Sequence, residues 1–147
     1  DVVEGEAIFR QANCQSCHGG PTWTSSRLTH TGVPPAELLA SGQLIRALRK
    51  VDTFRASDKN EVRQNAANPL GADGFVPPSL LSLSAWRDSF FHNGAVDTLD
   101  KVMENVAHRS AGTGGTDTLT DGEQRRKLIR FLLSIDANST PIPIPAP

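Results

Sequence analysis

Two cysteines and a histidine stand close together near the start of the chain, in the segment Cys14-Gln15-Ser16-Cys17-His18. This spacing places the two thiols one helical turn apart, where both can add to the vinyl groups of a single porphyrin. The adjacent imidazole then lies beneath the iron as its proximal ligand. These residue types in this order therefore predict one covalently attached haem c, held by Cys14, Cys17 and His18.

Three other uses of a cysteine pair fit the sequence less well. A zinc site needs three or four thiolate or imidazole ligands at a characteristic spacing, and the chain has only two cysteines. A thioredoxin-type pair needs a preceding strand and a βαβ context, which the flanking residues do not predict. A disulfide across so short a loop would leave His18 without a role. Haem attachment accounts for all three side chains.

Size and composition limit the remaining possibilities. The 147 residues suit one domain, and 37% hydrophobic residues with no tyrosine make a lean core that a buried porphyrin would supplement. The formal net charge of -1 gives no electrostatic reason to expect nucleic acid or an anionic membrane as a partner. No apolar run approaches the roughly 20 residues of a membrane-spanning helix.

The start of the chain and the haem motif together predict a location. The sequence begins at Asp1, without a methionine or a signal peptide, which is typical of a mature chain or an excised fragment of a longer protein. Because haem of this type is attached outside the cytoplasm, we expect a periplasmic or secreted domain.

Hydrophobic periodicity predicts an all-α fold. A first amphipathic helix is expected over Val2 to Asn13, where Gly5 suggests that another helix crosses closely. The last helix is expected to start at the capping-box pattern Thr120-Asp121-Gly122-Glu123 and to run to about Ile135. Residues 1–138 are predicted to form one mono-haem domain, and the proline-alternating residues 139–147 are predicted to be an extended tail or linker remnant.

Loops and one further helix are expected to surround the haem. A long loop from Asp52 to Pro78 is a candidate to wrap its face. A helix from about Thr98 to Ala107 carries an apolar stripe that ends at Val106. The Pro21 carbonyl is a candidate acceptor for the Nδ1 proton of His18, and Trp23 is a candidate either to cover a pyrrole or to fill the core.

The chain resembles two groups of haem proteins. Gly5, Phe9, the attachment motif and the last helix are similar to the class I cytochrome c fold, which implies that the first and last helices cross near the haem. Pro78-Ser79-Leu80, Phe90-Phe91-His92-Asn93-Gly94 and Thr98-Leu99 resemble the haem domains of bacterial dihaem cytochrome c peroxidases. Those proteins carry two haem motifs, whereas this chain has one.

The ligand on the second face of the iron stays open at this stage. The resemblance implies a methionine at the position of Val106, and valine cannot bind iron. His108 and Met103, on either side of Val106, are the leading candidates, because imidazole and thioether are the usual sixth ligands. An iron that is open on this face, or bound by His30 or His92, remains an alternative. In the family that the chain resembles, the histidine at the position of His92 is not the ligand of this haem.

Two classes of function follow from these candidates. With both axial positions filled, the domain would transfer single electrons to and from a redox partner or a neighbouring domain, as a module of a larger secreted protein and not as a catalyst. With an open iron it would be a peroxidase- or oxygenase-like enzyme, which needs an acid or base above the iron such as His92 or Glu104.

Overall fold

The computed structural model describes residues 1–26, 49–54, 71–72, 74–81, 83–85 and 89–145. Its helices, in chain order, are α1 (Val2–Gln11), α2 (Gln15–His18), α3 (Leu99–Glu104), α4 (Val106–Arg109) and α5 (Gly122–Ser134), with 3-10 turns at Leu83–Ala85 and Ala111–Thr113. Pairing of β type within the described ranges is limited to two isolated bridges, Arg49 with Phe75 and Phe90 with Val96. The predicted all-α class is confirmed.

The first and last helices pack directly on each other at Gly5. A Cβ atom on Gly5 would overlap the Lys127 carbonyl oxygen and would lie 2.7 Å from Cβ of Phe131. Glycine is therefore needed at this crossing, because any side chain would push α1 away from α5. The close helix crossing predicted at Gly5 is confirmed.

An aromatic cluster lies under this crossing. The rings of Phe9, Trp23 and Phe131 meet edge to face, with centroids 5.4 to 6.2 Å apart. Trp23 is 2% exposed, so it belongs to the core of the protein. The other buried hydrophobic residues of the described chain are Ala12, Leu80, Val102, Met103, Leu119, Leu128, Ile129, Leu132, Ile135 and Ile142.

Two predicted helix ends differ from the observed ones. Helix α5 is capped by Asp121, whose carboxylate accepts a hydrogen bond from the Glu123 backbone N–H at 2.9 Å, and not by Thr120. Helix α1 stops at Gln11, short of the predicted Asn13, because Asn13 has a left-handed backbone (φ 53°) that ends the helical path.

The helix predicted over Thr98 to Ala107 is broken at Asn105. Thr98 caps α3 by accepting a hydrogen bond from the Lys101 N–H at 3.2 Å. Asn105 is extended (φ -72°, ψ 103°), and its side chain accepts a hydrogen bond from the His108 N–H at 2.9 Å, which starts α4. The break reorients the chain between Met103 and His108.

The proline-alternating tail folds back onto the domain. Ile142 is 1% exposed, and its carbonyl oxygen accepts a hydrogen bond from the Gly20 N–H at 2.8 Å. The segment predicted as a linker thus contributes one side chain to the core, while the domain boundary at Asn138 stays a prediction.

Two predicted features lie wholly or mostly outside the described residues. They are His30 with its neighbours in sequence, and most of the loop from Asp52 to Pro78. Among the helices that the structure describes, none has the length and apolar character needed to span a membrane.

Candidate functional site

The attachment segment begins where α1 ends. The Cys14 N–H donates to the Phe9 carbonyl at 3.0 Å, and the His18 N–H donates to the Cys14 carbonyl at 2.9 Å, so α2 forms one short turn. Cys14 and Cys17 therefore lie one turn apart, and His18 follows directly. This is the arrangement that the sequence motif requires.

The surroundings of Cys14 disfavour its thiolate form. Both cysteines are half-buried and unpaired. Burial raises the pKa of Cys14 to about 12, with a smaller contribution from the neighbouring Cys17. A thiol with so high a pKa is protonated at neutral pH, whereas reactive or zinc-binding cysteines have lowered values. Burial therefore keeps the Cys14 side chain protonated.

His18 is anchored by a proline carbonyl, although not by the predicted one. Its Nδ1 lies 3.1 Å from the carbonyl oxygen of Pro78, 60 residues along the chain, and not beside Pro21. The Pro78 segment is fixed beside the attachment turn by two hydroxyl groups: Thr24 donates to the Pro77 carbonyl at 2.6 Å, and Ser79 donates to the Thr22 carbonyl at 2.5 Å. An Nδ1–H donated to a carbonyl is how metal-binding histidines are commonly oriented, with Nε2 left for the metal.

The imidazole of His108 lies near that of His18. The centroids of the two imidazole rings are 6.2 Å apart, with an angle of 69° between the ring planes. Since an imidazole nitrogen lies about 2 Å from a metal ion that it binds, and the ring centre lies about 1 Å further, two rings on opposite faces of one iron have centroids about 6 Å apart. The observed separation of His18 and His108 fits one metal ion between them.

Phe91 covers the outer side of His108. Its ring meets the His108 ring edge to face, with centroids 5.9 Å apart. Phe91 has a left-handed backbone (φ 63°), which is unfavourable for a bulky residue and persists where the surrounding structure imposes it. The turn that contains it is closed by the Phe90 N–H donating to the Val96 carbonyl at 2.8 Å.

Both imidazoles are kept neutral. Burial lowers the pKa of His18 to about 4; His108 also lowers this pKa, and the hydrogen bond to Pro78 raises it. Burial likewise lowers the pKa of His108. Neutral imidazole is the form that binds a metal, so the local electrostatics favour ligation of a metal at neutral pH.

A haem iron fits these residues. Nδ1 of His108 is buried and has no hydrogen-bond partner among the described residues. A buried polar atom in this state costs free energy, and a group from outside the polypeptide that binds at this nitrogen would remove the cost. A porphyrin already supplies four nitrogens to its iron, so two facing imidazoles complete the coordination. In the part of the chain that the structure describes, no group of three or more histidine, cysteine, aspartate or glutamate side chains forms a metal-binding cluster.

The structure describes the surroundings of three of the remaining candidate residues and of Val106. Met103 is 6% exposed and packs within the core. Val106, at the position where the resemblance implies methionine, is half exposed. His92 is exposed and stacks on Phe75, with ring centroids 3.6 Å apart. Glu104 is also exposed. His30 falls outside the described residues.

Sequence reasoning missed three residues that contact the two histidines, namely Pro78, Asn105 and Phe91. It also missed the hydrogen bond between Asn13 and Gly112. The two asparagines had a local signal, because asparagine is a good helix cap, as at Asn105, and often adopts a left-handed backbone, as at Asn13. The contact between Asn13 and Gly112 joins residues 99 positions apart and has no local signal.

Comparisons with known proteins point to one kind of relative. Cytochrome-c peroxidase IdrP2 of Denitromonas iodatirespirans is 26% identical over 155 aligned positions, covering 98% of this chain and 41% of that protein. Cytochrome-c peroxidase IdrP1 of the same organism is 30% identical, covering 82% of this chain and 34% of that protein. Cytochrome-c peroxidase IdrP2 of Pseudomonas sp. (strain SCT) is 30% identical, covering 94% of this chain and 40% of that protein.

The chain is a distant relative of cytochrome-c peroxidases. It spans between about a third and two-fifths of the length of these relatives. No protein-family model matches the chain, and no solved structure matches it.

Proposed function

We propose that this chain is a mono-haem electron-transfer module of the c-type cytochrome kind. The observation that carries the proposal is the pair of neutral imidazoles of His18 and His108, with centroids 6.2 Å apart, directly after a cysteine pair at attachment spacing. The sequence relationship to cytochrome-c peroxidases supports a haem-based redox role. An iron bound on both faces exchanges single electrons without binding a substrate.

Each residue of the site has a distinct task in this proposal. Cys14 and Cys17 would hold one haem c covalently, and His18 and His108 would be the two axial ligands, in place of the alternative Met103. When bound, the haem supplies reversible one-electron chemistry. The Pro78 carbonyl holds the Nδ1 proton of His18, so the ring presents its other nitrogen and keeps its orientation.

Phe91 has a protective task. Its edge-to-face contact places apolar surface over the side of the His108 ring, which limits the access of water and small ligands to the imidazole. Exclusion of water around an axial ligand is one way in which a protein adjusts the redox potential of a haem.

The setting that we propose is extracytoplasmic, in the periplasm or secreted. Haem c is attached outside the cytoplasm, and the relatives are more than twice as long as the aligned region. A neighbouring domain of a longer protein, or a separate redox protein, is therefore the proposed electron partner. Catalysis would belong to that partner.

A peroxidase-like enzyme is the second candidate, because the relatives carry that name. It requires a vacant iron face with an acid or base above it. If His108 binds the iron as proposed, the face opposite His18 is filled, and this candidate needs His108 to move away before peroxide can bind.

Optical and EPR spectra of the ferric protein test the proposal. A Soret band and a pyridine haemochrome characteristic of attached haem c, together with a low-spin signal of two imidazoles, are expected. Met103→Leu should keep this spectrum because it nearly conserves volume in the core, whereas His108→Ala should give high-spin haem that binds cyanide. A long-wavelength sulfur-to-iron band that disappears in Met103→Leu would assign the ligand to Met103 instead. A high-spin wild-type spectrum that changes on addition of peroxide would favour the enzyme.

A further inference from the structure

One contact joins the cysteine-bearing segment directly to the loop that follows His108. The side-chain Nδ2 of Asn13 donates to the Gly112 carbonyl at 2.6 Å. A Cβ atom on Gly112 would overlap the Asn13 carbonyl oxygen and would lie 2.8 Å from that of Ala12. The two backbones therefore touch without an intervening side chain. We call this pair, Asn13 and Gly112, the clasp.

Asn13 controls the start of α2. Its carbonyl oxygen accepts hydrogen bonds from the Ser16 N–H at 3.1 Å and from the Ser16 hydroxyl at 2.8 Å. Its left-handed backbone turns the chain from α1 into α2, a conformation that asparagine adopts more readily than most residues. A shift of Asn13 would therefore move the turn that carries Cys14, Cys17 and His18.

The segment between His108 and Gly112 is tied at several points. Ser110 is 3% exposed, and its hydroxyl donates to the Val106 carbonyl at 2.7 Å. Arg109 donates to the Met103 carbonyl at 2.9 Å and to both carboxylate oxygens of Asp117, at 3.0 and 2.5 Å. Because these hydrogen bonds hold Arg109 and Ser110 in place, we expect a displacement of Gly112 to move His108 as well.

We infer that the clasp residues are positioning residues that set the distance between His18 and His108. This inference rests on the proposed function, because the distance matters only if both imidazoles bind one iron. The clasp fixes the cysteine-bearing turn relative to the loop after His108, and the ring separation of 6.2 Å follows from that fixed geometry.

Gly112→Ala is the direct test, made in the haem-loaded protein. The added methyl group must push the two backbones apart, so His108 should bind the iron less firmly. We expect a growing high-spin fraction in the ferric EPR spectrum and an affinity for cyanide that is higher by about tenfold, which is within the usual range of coupling between two sites. Gly122→Ala is the matched control, because the nearest atom to its new Cβ is 3.6 Å away.

Asn13→Gly separates the clasp from general damage to the fold. Glycine keeps the left-handed backbone and removes only the hydrogen bond to Gly112. It should change the EPR spectrum and the cyanide affinity in the same direction as Gly112→Ala, by a smaller factor.

Failure of the clasp and failure of the proposed function give different results. Wild-type EPR and wild-type cyanide affinity in both folded clasp variants would overturn the inference, while the wild-type protein would still show two imidazole ligands. A wild-type spectrum without two imidazole ligands would instead overturn the proposed ligation, and the role of the clasp with it. If Gly112→Ala does not fold, Asn13→Gly alone decides.

Discussion

Gly5 of α1 rests against the Lys127 carbonyl of α5, with no room for a side chain between them. Gly5→Ala should therefore destabilise the protein by about 1 to 3 kcal/mol, because overpacking at the crossing outweighs the better helix propensity of alanine. Urea or guanidinium unfolding measures the change. Gly122→Ala, at the start of α5, would make only an ordinary contact with the Arg125 side chain and should leave the unfolding free energy unchanged or slightly raised. A fully stable Gly5→Ala variant would show that the two helices can move apart at little cost.

The ion pair of Arg109 and Asp117 gives a prediction about acid. The Arg109 guanidinium holds the pKa of Asp117 below its usual range. A carboxyl group with a lowered pKa contributes stability above the pKa of the unfolded chain, about 4, and this contribution is lost as the pH falls through the lowered value. In Asp117→Asn the loss of stability below pH 4 should be smaller than in wild type. Unfolding curves measured from neutral pH down to about 2 test the difference.

Arg109→Gln is a second variant for this acid prediction, because it removes the cation that lowers the pKa of Asp117. It should change the slope of stability against pH in the same direction as Asp117→Asn. Identical slopes in wild type and Asp117→Asn would mean that the ion pair does not contribute to acid sensitivity.

Ile142 anchors the tail in the core. Ile142→Ala removes a fully buried side chain from a site that cannot close over the gap, so a loss of about 2 to 5 kcal/mol in unfolding free energy is expected. Val3→Ala, at a side chain that is 81% exposed, should change the stability by less than about 0.5 kcal/mol. Equal stability of the two variants would mean that the tail is not held in solution.

Asn105 starts the helical turn that carries His108. Asn105→Ala removes the side-chain oxygen that accepts the His108 N–H, and should cost about 1 kcal/mol of stability. Asn105→Asp keeps an acceptor oxygen at the same position and should restore most of the loss. Thermal unfolding of the three proteins compares them. Equal destabilisation by Ala and Asp would show that the cap itself is not what stabilises the turn.

Features set by neighbours in the sequence could be predicted. The spacing of the two cysteines and the histidine follows from one helical turn. The close crossing at Gly5 follows from a glycine inside a helix, where it costs about 1 kcal/mol relative to alanine. The apolar stripe from Leu99 to Val106 correctly indicated helix. It also concealed the break at Asn105, because periodicity reports which faces are apolar and not where a cap interrupts the path.

Features set by distant partners could not be predicted. Every residue has a carbonyl oxygen, so nothing local distinguishes Pro78 from Pro21 as the acceptor for His18. The alternation of proline and isoleucine in the tail predicts an extended segment, but the tail lies on the domain only because Gly19 has no side chain, since a Cβ atom there would be 2.8 Å from the Ile142 carbonyl oxygen. The contact of Asn13 with Gly112 likewise exists only once the chain has folded.

The carbonyl that accepts the Nδ1 proton of His18 belongs to a pair of prolines, Pro77 and Pro78, whose rings fix the backbone torsion φ at both residues. Hydrogen bonds of Thr24 to Pro77 and of Ser79 to Thr22 hold the residues on either side of this carbonyl. Its dipole therefore keeps one direction while the charge on a group bound to His18 changes. A fixed dipole does not have to reorient when an electron arrives or leaves. With iron bound as proposed, the proline pair would lower the reorganisation energy on this side of the haem and so favour fast electron exchange in both directions.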